Sequence, residues 1–295
     1  MPRVLLMLTM LCLGLLMVGC QSVFSGDSPA GASEQLPIPI YYEDKVLVLT
    51  YHHIDPAELD FTISPDRFVT HLEALKKHNY NVVSMEDYRQ YVTKGASLPP
   101  NAVVITFDDG YESFYRYAYP ALKKMGYPAT NFIVVKSTDV LNPKALPHLT
   151  WDQMREMKQN GMSFYNHTYD QHRHENTNAG GNPRAMLANP LFLVDKNRPE
   201  THEEYKARIR QDLALAEKRL DEELGDQPNL LAFPYGQYND TVLEVGKELG
   251  IDLFFLYLQE GINDRDDTLV ARVNAGQAGL SAEDLLAKLK RYHDR

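Results

Sequence analysis

Short apolar runs alternate along the chain with longer stretches whose apolar residues recur every three or four positions. Lys45-Val46-Leu47-Val48-Leu49-Thr50, Ala102-Val103-Val104-Ile105, residues 129–135, Met162-Ser163-Phe164-Tyr165-Asn166 and Leu230-Leu231-Ala232-Phe233 have the length and side chains of buried strands. Asn81-Val82-Val83 and the stretches near 252–256 and 268–273 read as further strands. Between them, helical spacing runs over 65–78, from Ser84 with Asp87 three positions on, over 113–125 up to Gly126, and from a Thr150/Gln153 capping box to near Gly161. A charged helix over 201–224 places Tyr205, Ile209, Leu213, Leu220 and Leu224 on one face, and Ser281 caps a last helix ending near Tyr292. Strand and helix alternate about seven or eight times without an internal repeat, which predicts an α/β fold. A distorted (β/α) barrel of seven or eight strands, one domain over residues 41–295, fits this better than a doubly wound sheet. Residues 173–199, rich in Asn, Gly and Pro, predict a long loop.

The N-terminal end has a different character. Arg3 precedes an apolar stretch over 4–18 that ends in Gly19-Cys20. It is short for a membrane span of about 20 residues and suits the core of an export signal. Leu16-Met17-Val18-Gly19-Cys20 looks like a bacterial lipoprotein signal: residues 1–19 would be removed and Cys20 acylated, with an ordinary signal peptide and a chance cysteine as the alternative. Residues 20–40, dominated by Ser, Gly, Ala, Pro and Gln, predict a flexible tether. The expected location is an exported, membrane-anchored one, at the periplasmic face of an outer membrane or the cell surface. Cys12 and Cys20 are the only cysteines, so no disulfide framework is expected, and a metal would need His and carboxylate ligands. A formal charge of −10 argues against a nucleic-acid partner.

Candidate chemistry falls at matching places. His52 and His53, Asp108 and Asp109, His167 and His172, and Tyr235 each follow the carboxyl end of an expected strand, where the active-site loops of a barrel converge. In Thr106-Phe107-Asp108-Asp109-Gly110, one carboxylate can hold a metal while its neighbour moves a proton, and the glycine allows a sharp turn. Asp109, His167 and His172 offer one carboxylate and two imidazoles, a set that suits Zn and admits Co, Ni or Fe; His174 is the rival of His172. Asp108 is then the candidate general base. Taken singly, a capped turn or a polar histidine loop binding nothing is the alternative reading of each motif.

Together these residues resemble the polysaccharide deacetylase family, carbohydrate esterases that remove N-acetyl groups from chitin-like polymers, peptidoglycan and biofilm glucosamine polymers. The resemblance spans roughly residues 45–275. Thr106 to Gly110 matches the first motif. His167-Thr168-Tyr169-Asp170-Gln171-His172 matches the second, with its histidines five apart where the family usually has four, and Phe233-Pro234-Tyr235-Gly236 the third, with Ala232 where the family usually has Arg. The wider spacing and Tyr51-His52 are similar to the branch acting on poly-β-1,6-N-acetylglucosamine.

The resemblance implies an N-acetylglucosamine polysaccharide as substrate, and the acidic surface is compatible with a polymer that becomes cationic as acetyl groups leave. It implies His52 as the acid for the leaving amine, opposed to an ionised Asp108, with His53 turned into neighbouring structure. It also implies the Tyr235 N–H as an oxyanion donor. The missing arginine leaves the partner of Asp108 open; Arg272 is a candidate, with a solvated surface arginine as its alternative. Tyr111, Tyr115, Trp151 and Tyr169 lie near motif positions, as sugar platforms or as packing. Expected partners are the membrane, through lipidated Cys20, and polysaccharide synthesis or export proteins. The rivals are a peptidoglycan or chitooligosaccharide deacetylase and an inactive carbohydrate-binding lipoprotein. The inactive protein would be expected to have lost a ligand or the base, and none of these residues is missing.

Overall fold

In the computed structural model, which describes residues 39–293, the apolar runs of the sequence become strands buried on both sides. Every position of β1 (Val46–Tyr51) and of β3 (Ala102–Phe107) is buried, the pattern of parallel strands covered on both faces. With β2 (Asn81–Val82), β4 (Ala129–Ile133), β5 (Met162–Asn166), β6 (Asn229–Ala232), β7 (Ile251–Phe255), β8 (Ile262–Asn263), β9 (Leu269–Val270) and β10 (Val273–Asn274) they form one ten-stranded sheet. Its order is β8-β1-β3-β4-β5-β6-β7-β9, with β10 added to β1 and β2 to β3. All pairings are parallel except β1 with β8. The proposed signal, the Cys20 lipidation site and tether residues 20–38 lie outside the described residues.

One segment nearly closes the sheet into a barrel. Leu269 and Val270 pair with Phe254 and Phe255 of β7, and a few residues later Val273 and Asn274 pair with Leu49 and Thr50 of β1. The strand expected over 268–273 is therefore two short pairings, because the chain changes partner at the seam. Alternate residues of the strands, among them Val46, Val48, Val104, Phe132, Leu230 and Phe255, form one apolar cluster with Met85, Tyr88 and Tyr91 of α2 (Met85–Lys94). The other face, with Leu47, Leu49, Val103, Ile105 and Phe107, packs against an outer layer that includes α1 (Pro65–Lys77), α3 (Tyr119–Met125), α5 (Trp151–Lys158) and α8 (Ala282–Lys290). α4 (Val135–Asp139), α6 (His202–Leu224) and α7 (Asp240–Glu248) complete the helices of the described residues. The caps expected at Ser84 and Ser281 and the capping box expected at Thr150 all form, each as a full capping box.

Two local expectations are revised. The helix expected from Ser113 opens as a widened π turn over Phe114–Ala118, in which the Tyr119 N–H reaches back to Phe114 O. Pro120, which follows, has no N–H to continue an ordinary ladder. The loop expected over 173–199 holds two short antiparallel pairs, His174–Asn176 with Pro183–Ala185 and Phe192–Leu193 with Arg198–Pro199. Leu187, fully buried against α6, fastens it to the barrel.

The apolar face of α6 contains one acid. Glu217 is 7% exposed and accepts a hydrogen bond from Asn166 Nδ2 at 2.8 Å. Burial, with Asp221 adding and the Asn166 hydrogen bond opposing, pushes its carboxyl up to about 8, so it is neutral near pH 7. The folded state then binds one proton more than the unfolded chain between the ordinary carboxyl range and about 8, and this contribution to stability is lost as pH rises through that window. Glu217→Gln keeps the acceptor and removes the titration. Its melting temperature relative to the parent is expected to climb from pH 5 to pH 8.5 in circular-dichroism melts; a constant difference would mean that the buried carboxyl is already ionised.

Candidate active site

Loops following β1, β3, β5, β6 and β7 meet around a cleft of about 290 Å³. His52, Asp108, Asp109, His167, His172 and Tyr235 all line it, so residues distant in sequence share one pocket. The acidic pair is split by the backbone. The Asp108 N–H donates to Tyr51 O at 3.0 Å, continuing the β3–β1 ladder by one residue, whereas Asp109 adopts φ 75° and sends its side chain elsewhere. Gly110 follows at φ 77°, and a Cβ there would stand 3.0 Å from Ile133 Cδ1, so the turn suits glycine in both conformation and space.

Asp108 is nearly inaccessible and its charge is met by an arginine. Arg272 Nη1 and Nη2 donate to Asp108 Oδ1 and Oδ2 at 2.8 and 2.7 Å, Nε donates to Leu256 O at 2.6 Å, and Nη1 also contacts Thr106 Oγ1 at 3.3 Å. Arg272, the candidate partner, is thus fully buried and is no surface arginine. Burial alone would raise the Asp108 carboxyl. The charges of Arg272 and His167 and the two hydrogen bonds from Arg272, with a further contribution from His52, outweigh it and hold Asp108 below the usual carboxylate range. His52 Nε2 stands 3.9 Å from Asp108 Oδ2, too far for a hydrogen bond, and the His52 ring meets Tyr257 edge-on at 5.3 Å.

Asp109 faces the imidazoles. Its Oδ1 lies 3.4 Å from His167 Nε2 and 3.2 Å from His172 Nε2, and ligand atoms of all three residues lie within 4.8 Å of one another. His167 Nδ1 is 2.8 Å from Ala232 O. A carbonyl oxygen only accepts, so Nδ1 carries a proton and Nε2 is the atom turned towards Asp109. Burial would lower the His167 imidazole, but Asp109, Asp108 and the Ala232 carbonyl outweigh it and raise it, so a cation at Nε2 would take the place of a proton. Burial and the neighbouring His167 push His172 down to about 4, leaving it neutral. Asp109 Oδ1 is buried with no hydrogen-bond partner. An orphaned carboxylate oxygen facing the Nε2 atoms of two imidazoles fits a divalent cation, with the carbonyl orienting one of the two rings.

Other candidates separate. His174 is exposed, lies tilted against the Tyr235 ring at 4.3 Å and is outside the ligand cluster. His53 does turn into neighbouring structure, with Nδ1 2.9 Å from Ser113 Oγ and its ring 5.0 Å from Tyr111, yet it also lines the cleft. Of the four aromatic candidates Tyr111 reaches the cleft. Tyr115 donates to Glu156, Trp151 donates to Asp139 beneath the Arg219 guanidinium, and Tyr169 packs against the core. Asp60, Phe61 and Tyr257 also line the cleft and carried no signal in the sequence, because they lie on loops without periodicity.

Comparison with known proteins agrees with this geometry. The polysaccharide deacetylase family matches residues 95–254, a segment that contains Asp108, Asp109, His167, His172 and Tyr235, while His52 precedes it and Arg272 follows it. A poly-β-1,6-N-acetyl-D-glucosamine N-deacetylase of Escherichia coli K12 is 32% identical over 199 residues, 64% of this chain. The chain spans only 30% of the length of that relative. A protein of the same name from Staphylococcus aureus MRSA252 is 26% identical over 98% of both chains. Among solved structures, a de-N-acetylase from Aggregatibacter actinomycetemcomitans superposes with a TM-score of 0.75 at 29% identity, covering 83% of this chain and all of the other. With more than half of its length matched, and the motif residues gathered in one cleft of a nearly closed barrel, the chain belongs to the polysaccharide deacetylase family.

Proposed function

We propose that this protein is a metal-dependent N-deacetylase of an extracellular N-acetylglucosamine polymer, with poly-β-1,6-N-acetyl-D-glucosamine of biofilm matrix as the favoured substrate. The observation that carries the reading is the division of the acidic pair, Asp108 forked onto Arg272 and Asp109 turned to His167 and His172. The names of the relatives and the wide spacing of His167 and His172 support the choice of polymer.

In this reading Asp109, His167 and His172 hold a divalent cation, Zn by preference and Co, Ni or Fe by ligand type. The cation supplies Lewis acidity for the acetyl carbonyl and for the attacking water. Asp108 takes a proton from that water as it adds to the carbonyl carbon, and Arg272 keeps Asp108 ionised for the task. The Tyr235 N–H donates to the oxyanion that develops on the former carbonyl oxygen. When the carbon–nitrogen bond breaks, His52 delivers a proton to the departing amine. The products are acetate and a glucosamine unit in the polymer. His52 is not bound up with Asp108, since 3.9 Å separates Nε2 from the carboxylate.

The setting follows from the same proposal. Export by residues 1–19 and acylation of Cys20 would place the barrel on a tether at the periplasmic face of an outer membrane or at the cell surface, beside polysaccharide synthesis or export proteins. The support is the apolar stretch after Arg3 and its Gly19-Cys20 end.

Acetate release from poly-β-1,6-N-acetylglucosamine oligomers is expected to vanish on chelation and return with Zn, Co or Ni. Asp108→Asn is expected to slow it roughly 10²–10⁴-fold. Release only from chitin or peptidoglycan fragments would move the substrate, and silence on all three polymers with intact metal binding would overturn the enzyme reading.

Arg272 allows a separate test. Removing one partner of a buried pair is expected to cost about 3–5 kcal/mol, so Arg272→Met is expected to lose that much stability in urea denaturation together with its deacetylase activity. Adding Asp108→Asn to Arg272→Met removes the stranded charge and is expected to restore part of the stability and none of the activity. A double variant no more stable than Arg272→Met would show that the pair is not what Arg272 contributes.

A further inference from the structure

Between the two imidazoles of the ligand cluster the chain makes a tight excursion, Thr168-Tyr169-Asp170-Gln171, and its backbone groups are satisfied from two sides. The carbonyls of Thr168 and Tyr169 accept from the N–H groups of Val135 and Lys136 at the start of α4, at 3.1 and 3.0 Å. The N–H groups turn the other way, to α6. Tyr169 N donates to Asp212 Oδ1 at 2.9 Å and Asp170 N to Asp212 Oδ2 at 2.8 Å. Arg208, one turn earlier on α6, donates to Gln171 Oε1 at 2.6 Å, and Glu217 receives Asn166 Nδ2, whose Oδ1 in turn accepts the Thr168 N–H at 2.6 Å.

Asp212 has a distinctive place in this set. Two consecutive N–H groups need two acceptor atoms side by side, which only a carboxylate offers; a carboxamide of the same shape would turn an NH₂ group against one of the N–H donors. The segment needs such a clamp. Thr168, a β-branched residue, is held at φ 73°, a conformation costing of order 1–3 kcal/mol that persists only where its surroundings over-determine it.

We propose that Asp212 is a positioning residue of the metal centre: through the Tyr169 and Asp170 N–H groups, α6 fixes the loop so that His172 Nε2 stands within ligand distance of Asp109 and His167. This rests on the reading of Asp109, His167 and His172 as metal ligands. The wide spacing of the two histidines then works because a carboxylate outside the motif holds the intervening loop in place.

The test reads metal binding and not turnover. Metal-stripped parent, Asp212→Asn, Asp212→Glu and Asp212→Ala proteins are titrated with Zn against a competing chelator and with Co(II) followed by its visible spectrum. Asp212→Asn is expected to raise the Kd about 10–100-fold, the usual effect of losing an outer-shell partner, and to shift the Co(II) bands. Asp212→Glu, which keeps two acceptors, is expected to recover part of the affinity. If Asp212→Asn does not fold, Asp212→Ala, which removes the acceptors without opposing donors, carries the same expectation. A folded variant of either kind with the parent Kd and spectrum overturns the proposal, as does a fall in melting temperature equal in stripped and loaded protein. A parent that binds no divalent metal overturns the ligand assignment itself, and the parent titration alone reveals it.

Discussion

Two adjacent carboxylates at the mouth of an apolar barrel are the constraint on which the site depends. An ionised group taken out of water must be paired and hydrogen-bonded, and two of them side by side also repel. The chain resolves this by sending them in different directions. Asp108 stays in line with β3 and takes the fork of Arg272 through both oxygens, while the left-handed backbone at Asp109 turns its oxygen to two imidazoles. One acid is therefore satisfied within the fold and the other is left facing the Nε2 atoms of two imidazoles. The proposed base and the proposed metal ligand can be neighbours in sequence because their environments are separate.

Backbone strain marks the same places. Asp109, Thr168 and Tyr235 each adopt a positive φ, of 75°, 73° and 58°, and each stands shortly after a strand that delivers a motif. Such conformations cost roughly 1–3 kcal/mol for a residue with a side chain and are kept by surrounding contacts. At Thr168 the contacts are Asn166 Oδ1 on its N–H and the Val135 N–H on its carbonyl, with Asp212 holding the two residues that follow. Beside Tyr235, a Cβ on Gly236 would come within 2.9 Å of Tyr257 Cβ, so the loops after β6 and β7 close on each other and keep the Tyr235 turn in place.

The sequence made the frame legible because the frame is local. Strands β1, β3 and β5 stand out by length and branching, the capping boxes at Ser84, Thr150 and Ser281 are three-residue signals, and the site residues fall at strand ends by count. What needed the structure is long-range or directional. Arg272 meets Asp108 across 164 positions, and nothing near either residue announces it. His174 stands as the rival of His172 until the loop is folded and the His172 Nε2 turns towards Asp109 while His174 is left exposed. Glu217 occupies a helical position where an acid is normally solvated, and its burial depends on Asn166 of another element. The pairs within 173–199 are two or three residues long, below the length at which alternation can be read.

The two residues that flank the family match, His52 and Arg272, are neighbours in space for a topological reason. His52 follows β1 directly and Arg272 lies just before β10, and these two strands are hydrogen-bonded through Leu49 with Val273 and Thr50 with Asn274. The Ala275 N–H continues that ladder to Thr50 O at 3.0 Å, and a Cβ on Gly276 would stand 3.0 Å from Tyr51 Cα, so the segment after Arg272 runs tight against the one that bears His52. The seam that nearly closes the barrel thus also brings the proposed acid and the partner of the proposed base to the same carboxylate. Loosening the seam would misplace both, so barrel closure and the placement of His52 and Arg272 around Asp108 are one structural requirement.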